Sequence, residues 1–380
     1  MGQVGRREFV SSALFLPLFF RQSANARFIG NVPLVAPGVQ APPFGRLLGN
    51  GLDARLFTDL SAIRNPQSAI PNDEFFVRTA VPRTLTPTDA WRVRVAGLVE
   101  TPIDLSLRDL DPLVAPGGRY LMECSGNSDP SSFGLISVAD WDGVPLAAIL
   151  ERARPSAASY RVLVSGVDDM SATSRTSVPG ASWIFSHDDV QPAILAVRMN
   201  GAPLPRDHGF PVRLIVPGWY GCTCIKWVDR IDLVADEAPA TTQMQEFAAR
   251  THQDIGRLRA QDPPRARDFI PAIIDTAAMP VRVEKWAIDG RVAYRLTGII
   301  WGGSQPTSAL SIRFRSGQPW VPVDDCPVPT STLTWSLWSH TWRPDAPGRY
   351  QIVMRVNDPA IRTRRLDLFF YVREVQIDEI

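Results

Sequence analysis

Two stretches of this sequence carry residue types at spacings suited to chemistry. The first is Glu123-Cys124-Ser125-Gly126-Asn127-Ser128, where a cysteine leaves the apolar run Tyr120–Glu123 and enters a turn of small polar residues. Ser, Gly and Asn permit an unusual backbone there and expose the thiol. A cysteine so placed is a nucleophile, a soft metal ligand, or simply a buried residue at a strand end. The second stretch starts at Met199-Asn200-Gly201 and runs through Arg206-Asp207-His208-Gly209-Phe210-Pro211-Val212-Arg213. It continues by Pro217-Gly218-Trp219-Tyr220-Gly221 to Cys222-Thr223-Cys224-Ile225-Lys226-Trp227. Its glycines and prolines fix turns, and Arg206, His208, Arg213 and Lys226 add donors to the open backbone N–H groups. That set suits a phosphate joined to a polar heterocycle. The alternative is a solvated basic loop, but a segment held by so many turns is seldom idle.

Other chemistries find little support. One Cys222-x-Cys224 pair, with Cys124 and Cys326 far off in sequence, is weak evidence for zinc, which takes four ligands in matched pairs. A disulfide at that spacing is strained. There is no phosphate-loop, dinucleotide-fold, zinc-protease or nucleophile-elbow pattern. The sequence also lacks the C-x-x-C-H haem attachment motif and a ferredoxin cysteine run. A redox enzyme of this sequence needs a separate electron partner.

The elements that must position these residues are mostly strands. Pro 34 in 380 residues is too dense for long helices. Short strand-like runs are expected at Glu74–Arg78, Trp91–Ala96, Tyr120–Glu123, Tyr160–Ser165, Ala193–Met199 and Val212–Val216, with helices at Leu107–Asp111 and Pro145–Arg152. Residues 27–71 have no sustained period and read as an extended arm. Residues 72–236 form a mixed α+β domain and 237–269 a linker. From 270 to 380 the pattern is purely β, with runs at Val281–Trp286, Arg291–Ile300, Leu310–Arg315, Trp335–Thr341, Arg349–Val356 and Asp367–Val372. That spacing predicts an all-β immunoglobulin-like sandwich. With Lys+Arg 40 against Asp+Glu 39, a net charge of +1 excludes a general nucleic-acid binder and an acidic tail.

Together the two stretches resemble the sulfite oxidase family of molybdenum enzymes. Residues 199–227 are similar to its pterin-binding segment, Phe75-Phe76-Val77-Arg78 to its F-V-R-N-H element, and the Cys124 turn to its molybdenum-ligand cysteine. Trp141-Asp142-Gly143-Val144-Pro145-Leu146 and the β-rich C-terminal part extend the likeness over nearly the whole mature chain. The resemblance implies a molybdenum–molybdopterin cofactor with Cys124 as its one protein thiolate, and Cys124 and Arg78 as catalytic residues. It implies cofactor contacts from Phe76, Val77, Arg78, Asp168, His208, Arg213, Cys224, Ile225 and Lys226. It also implies a homodimer formed through the C-terminal sandwich, oxygen-atom transfer to a small sulfur substrate, and electrons passed to a separate cytochrome. The chain departs from the family in having Thr79-Ala80 after Arg78, Cys224 in the triplet before Trp227, and no tyrosine in Thr241–Arg250. Ser128-Asp129 replaces the Arg-Arg of animal and plant sulfite oxidases, so an acidic group is expected where those place an anion-binding arginine. The turn is closer to the sulfane dehydrogenase branch. The altered substrate residues leave open a periplasmic binding or assembly protein that keeps the fold without metal.

Residues 1–26 read as an export signal. Gly5-Arg6-Arg7-Glu8-Phe9-Val10 resembles a twin-arginine motif, an apolar run to Phe20 follows, and Ala24-Asn25-Ala26 offers a small-x-small cleavage site. The apolar run is too short to span about 30 Å of hydrocarbon as a helix, and the mature chain carries no other candidate span. The twin-arginine route carries folded proteins to the periplasm, which fits a cofactor inserted beforehand. Replacing Arg6 and Arg7 by lysine should strand precursor in the cytoplasm. Cell fractionation checks this, and normal periplasmic amounts would point to the general secretory route.

Overall fold

The computed structural model describes residues 25–35, 39–174 and 176–380. The Arg6-Arg7 pair and its apolar run lie outside the described residues. Among the described residues no helix is long and apolar enough to cross a membrane.

The α+β part contains two five-stranded sheets. One runs in the order Ile103–Ser106, Arg92–Gly97, Val228–Val234, Arg161–Gly166, Ser182–Ser186, with a single parallel pair between Arg92–Gly97 and Val228–Val234. The other runs Ala202–Pro203, Ile194–Met199, Ile136–Pro145, Ala115–Glu123, with Arg213–Ile215 paired onto Ile194–Met199. Arg92–Gly97 alternates between exposed and buried residues, as a strand with one wet face must. Ile136–Pro145 is buried along most of its length, and its Asp-Trp-Asp-Gly centre hides it from a period-two reading. The helix Leu146–Ala153 buries Leu146, Ile149, Leu150 and Ala153.

The C-terminal part is a sandwich of two four-stranded sheets. Ala277–Ile288, Arg291–Trp301 and Ser336–Trp342 form one with Ala26–Val32, which arrives from the N-terminal arm. Val321–Pro322, Leu310–Arg313, Gly348–Val356 and Arg373–Ile377 form the other. Phe314 stacks on Trp342 at 4.1 Å, and Tyr350 meets Trp342 edge-on at 4.6 Å, filling the interior with aromatic area. The run Asp367–Val372 is not a strand. Its apolar residues form a turn that places Phe370 and Tyr371 against Phe133, and the last strand begins only at Arg373.

The two parts are stitched together. Arg282 donates to the carbonyls of Ser61 and Ile63 at 2.9 Å each, and Leu121 N–H donates to Leu333 O at 2.7 Å. Residues 237–269, expected as a linker, hold two short helices, Thr242–Phe247 and Ile255–Arg259, capped by Thr241 and Asp254. Gly298 shows how closely the sandwich packs: a Cβ there would stand 2.2 Å from Trp338 Cζ2 and 2.3 Å from Met279 O. Gly298→Ala should cost about 1–3 kcal/mol of stability, as overpacking does. Denaturant melting checks this, with the midpoint expected to fall.

Candidate active site

Cys124 follows directly on the strand Ala115–Glu123, and its N–H donates to Leu135 O at 2.9 Å. Its side chain is buried, and Gly126 N–H points at the sulfur from 3.3 Å. Burial pushes the thiol's pKa up. Arg78 pulls it back most strongly, followed by the Gly126 N–H, Arg55 and Arg250. A Cβ on Gly126 would stand 2.6 Å from Arg250 Nη1 and 3.7 Å from Cys124 Sγ, so this guanidinium is a near neighbour of the thiol and the glycine makes room for it.

One cleft brings together the ten residues that the resemblance assigns to the site, Cys124, Phe76, Val77, Arg78, Asp168, His208, Arg213, Cys224, Ile225 and Lys226, whereas Arg206 is not among its lining residues and accepts from Trp227 Nε1 through its carbonyl at 3.0 Å. They do different work. Arg78 donates to Leu52 O and, at 3.1 Å, to Thr176 O, which fixes its guanidinium at the wall. Buried His208 donates from Nε2 to Asn72 O at 2.9 Å and meets Phe75 edge-on at 5.4 Å. Burial, Arg213 and Lys226 push its pKa down to about 3. The ring is therefore neutral and keeps Nδ1 as an acceptor. Asn72 is itself held by Asn200, at 2.8 Å between side chains. Arg213 is buried against Trp141, 5.2 Å from ring centre to guanidinium carbon. It donates to His208 O at 2.9 Å and Cys224 O at 3.1 Å, and burial brings its pKa down to about 10.

Three of the ten have side chains bonded within the chain itself. Lys226 already gives its ammonium protons to the carbonyls of Arg78 (3.1 Å), Thr79 (2.5 Å) and Asp207 (2.8 Å), so it clamps Arg78 to the His208 loop. Asp168 spends its two oxygens on the N–H groups of Asp169 and Gly180, closing its own loop. The Cys224 sulfur turns to Val216 N–H at 3.4 Å, and the residue meets Arg213 through its carbonyl. All four cysteines are free.

Sequence reasoning missed Arg55, Arg250 and the Gln243–Phe247 wall. Arg55 sits in an arm with no periodicity, donating to Leu52 O at 3.1 Å and Thr176 Oγ1 at 2.9 Å. Gln243, Glu246 and Phe247 line the cleft from the supposed linker. The one available signal was Arg250 itself, at the end of the tyrosine-free segment Thr241–Arg250. Asp129 is a correction. Its Oδ1 accepts from Ser131 Oγ (2.5 Å), Ser131 N–H (2.8 Å) and Ser132 N–H (3.1 Å), capping the turn. Its charge acts on Arg373, and it is not among the residues lining the cleft.

Among the described residues no three His, Cys, Asp or Glu side chains cluster to hold a metal. The cleft thus offers one soft sulfur for a metal and cationic and neutral donors for the rest of a cofactor. That donor set fits a metal whose other ligands arrive with an organic anion. A family model described as an oxidoreductase molybdopterin binding domain matches residues 78–242. Residues 78–242 are a molybdopterin-binding domain of the sulfite oxidase family. Its cofactor is molybdenum–molybdopterin.

Sulfite oxidase of Gallus gallus is 26% identical over 311 residues, covering 76% of this chain and 66% of that protein. The mitochondrial sulfite oxidase of Mus musculus is 28% identical over 261 residues, 61% of this chain and 47% of that one. The inducible NADH nitrate reductase 2 of Glycine max is 25% identical over 93% of this chain and 41% of its own. The chain thus spans less than two thirds of these relatives' lengths. In fold it is similar to the sulfane dehydrogenase SoxCD from Paracoccus pantotrophus, with TM-score 0.61, 17% identity, and coverage of 99% of this chain and 96% of that chain.

Because Asp129 caps a turn outside the cleft, Asp129→Arg should leave the KM for substrate within about twofold and cost about 1 kcal/mol through the lost cap. Steady-state kinetics beside thermal melting check this. A KM lowered severalfold would return Asp129 to the pocket.

Proposed function

We propose that this chain is an exported molybdenum oxidoreductase that moves an oxygen atom to an inorganic sulfur substrate, sulfite or sulfane sulfur, and passes electrons to a separate cytochrome. The observation that carries this is the Cys124 thiol in a cleft walled by the pterin-type segment, with Arg78, Arg55 and Arg250 all acting on the sulfur. When bound, the cofactor supplies a two-electron centre able to exchange an oxygen atom.

The chain's own residues prepare for it. Cys124 would give the single thiolate, and Arg78, Arg55 and Arg250 favour its ionised form against the effect of burial. Neutral His208 and the buried Arg213 would hold the pterin and its phosphate, and Phe76, Val77 and Ile225, which line the same cleft, would pack beside it. Lys226, Asp168 and Cys224 hold the loops that present these groups. At an effective dielectric near 20, one unit charge about 4 Å from another is worth roughly 4 kcal/mol before screening, so the arginines also draw in an anionic substrate. The C-terminal sandwich forms a homodimer, and the Arg6-Arg7 leader directs the folded protein to the periplasm.

Cys124→Ser puts a hard hydroxyl in place of a soft thiolate. Turnover should fall at least about 100-fold, the top of the range seen when groups one layer further out are changed. The protein should fold and still retain pterin. An active Cys124→Ser protein with unchanged molybdenum spectra would remove Cys124 from the metal. Metal analysis of the exported wild type tests the larger claim: purified protein with neither molybdenum nor pterin would favour a binding or assembly role.

A further inference from the structure

The residue beside Cys124 is held by the other domain. Successive strand residues point to opposite sides, so Glu123 faces away from the cleft that Cys124 faces. Its carboxylate, almost wholly buried, accepts two parallel hydrogen bonds from Arg364, from Nη1 to Oε1 and Nη2 to Oε2, at 2.7 Å each. Trp301 Nε1 adds a third bond at 2.8 Å. Arg364 and Trp301 both belong to the C-terminal sandwich region. Arg364 lies over the rings of Tyr220 and Trp301, at 5.2 and 5.7 Å, and donates to Tyr371 OH at 2.8 Å. Its backbone N–H donates to Thr276 O at 3.1 Å. On the cleft side, Glu123 O accepts from Gly221 N–H at 2.7 Å, tying the same residue to the pterin-type segment.

Stability alone does not call for this arrangement, since an apolar pair of similar volume often serves a buried site as well or better. What a bidentate pair adds is direction: a planar fork on a carboxylate fixes the distance and rotation of the chain carrying it. With the Glu123 side chain fixed by three donors, and the backbone pinned at Glu123 O and Cys124 N, the Cys124 sulfur is left one rotatable bond, its χ1. We infer that Arg364 is a positioning residue, through which the C-terminal sandwich sets the place of the Cys124 sulfur by way of Glu123. This rests on the reading of Cys124 as the metal's thiolate.

The test replaces the pair by apolar residues, Glu123→Leu with Arg364→Met, in the full-length, molybdenum-loaded protein. Melting and metal content should stay near wild type. The kcat for the sulfur substrate should fall by about tenfold or more with KM unchanged, as happens when a supporting layer of a metal site is altered. X-ray absorption at the molybdenum edge should show changed sulfur coordination. A folded, loaded double variant with wild-type kcat and an unchanged edge spectrum overturns the inference and leaves the pair a plain structural contact. If the double variant does not accumulate, Glu123→Gln, which keeps the shape and the Trp301 acceptor, is measured the same way, and wild-type kcat again overturns it. A wild type that carries no molybdenum fails at the earlier step and removes both this inference and the reading beneath it.

Discussion

The arrangement depends on burying cationic side chains against backbone carbonyls. Arg55, Arg78, Arg213 and Lys226 all lie on or beside one cleft, and each is partly or fully taken out of water. A buried cation is costly unless it finds acceptors. Here the acceptors are mostly backbone carbonyls: Leu52 and Ala54 for Arg55, Leu52 and Thr176 for Arg78, His208 and Cys224 for Arg213, and Arg78, Thr79 and Asp207 for Lys226. Carbonyl dipoles satisfy hydrogen bonds while leaving the net charge in place. Carboxylates supply part of the compensation: Asp168, Asp207 and Glu246 line the same cleft, Asp53 and Glu246 act on Arg78, and burial lowers the pKa of Lys226.

That solution dictates the local chain. Carbonyls inside a strand are committed to the sheet, so free ones must come from irregular segments, and irregular segments stay in place only if turns hold them. This is why the pterin-type stretch is dense in proline and glycine. Gly209, at φ 106, is one case where the need is strict: a Cβ there would stand 2.9 Å from Arg213 Cβ. The paired sheets then act as a frame. Arg213 starts a strand registered onto Ile194–Met199, and Cys124 leaves one registered onto Ile136–Pro145, so strand register fixes the loop that holds the cations relative to the thiol.

The sequence made the chemical residues legible because they are concentrated in two unusual stretches, and the sandwich legible because its strands recur at even spacing. It concealed what is set by tertiary packing. Ile136–Pro145 and Val228–Val234 are interior strands carrying polar residues, and a period-two reading passes over them. Leu368–Tyr371 looks like a strand by composition, yet it turns because its rings pack on Phe133. Arg55 had no local signal at all, since its role comes from pairing Arg55–Leu56 with Val77–Arg78.

Asp129 and Arg250 show why charge at such a site is not readable from one aligned position. Asp129 follows the Cys124 turn closely in sequence, but its Oδ1 accepts from Ser131 and Ser132 and its field falls on Arg373. Arg250 is far away in sequence, yet its guanidinium stands beside Gly126 and acts on the Cys124 sulfur. A charge counts in proportion to its distance and exposure, not its place in the chain. A substitution that removes a cation next to the thiol in sequence therefore does not remove cationic character from the pocket when another element supplies it. Here the supplier is the segment after Thr242–Phe247, whose own helix walls the same cleft. The charge around the Cys124 sulfur thus depends on how that segment docks on the Cys124 turn.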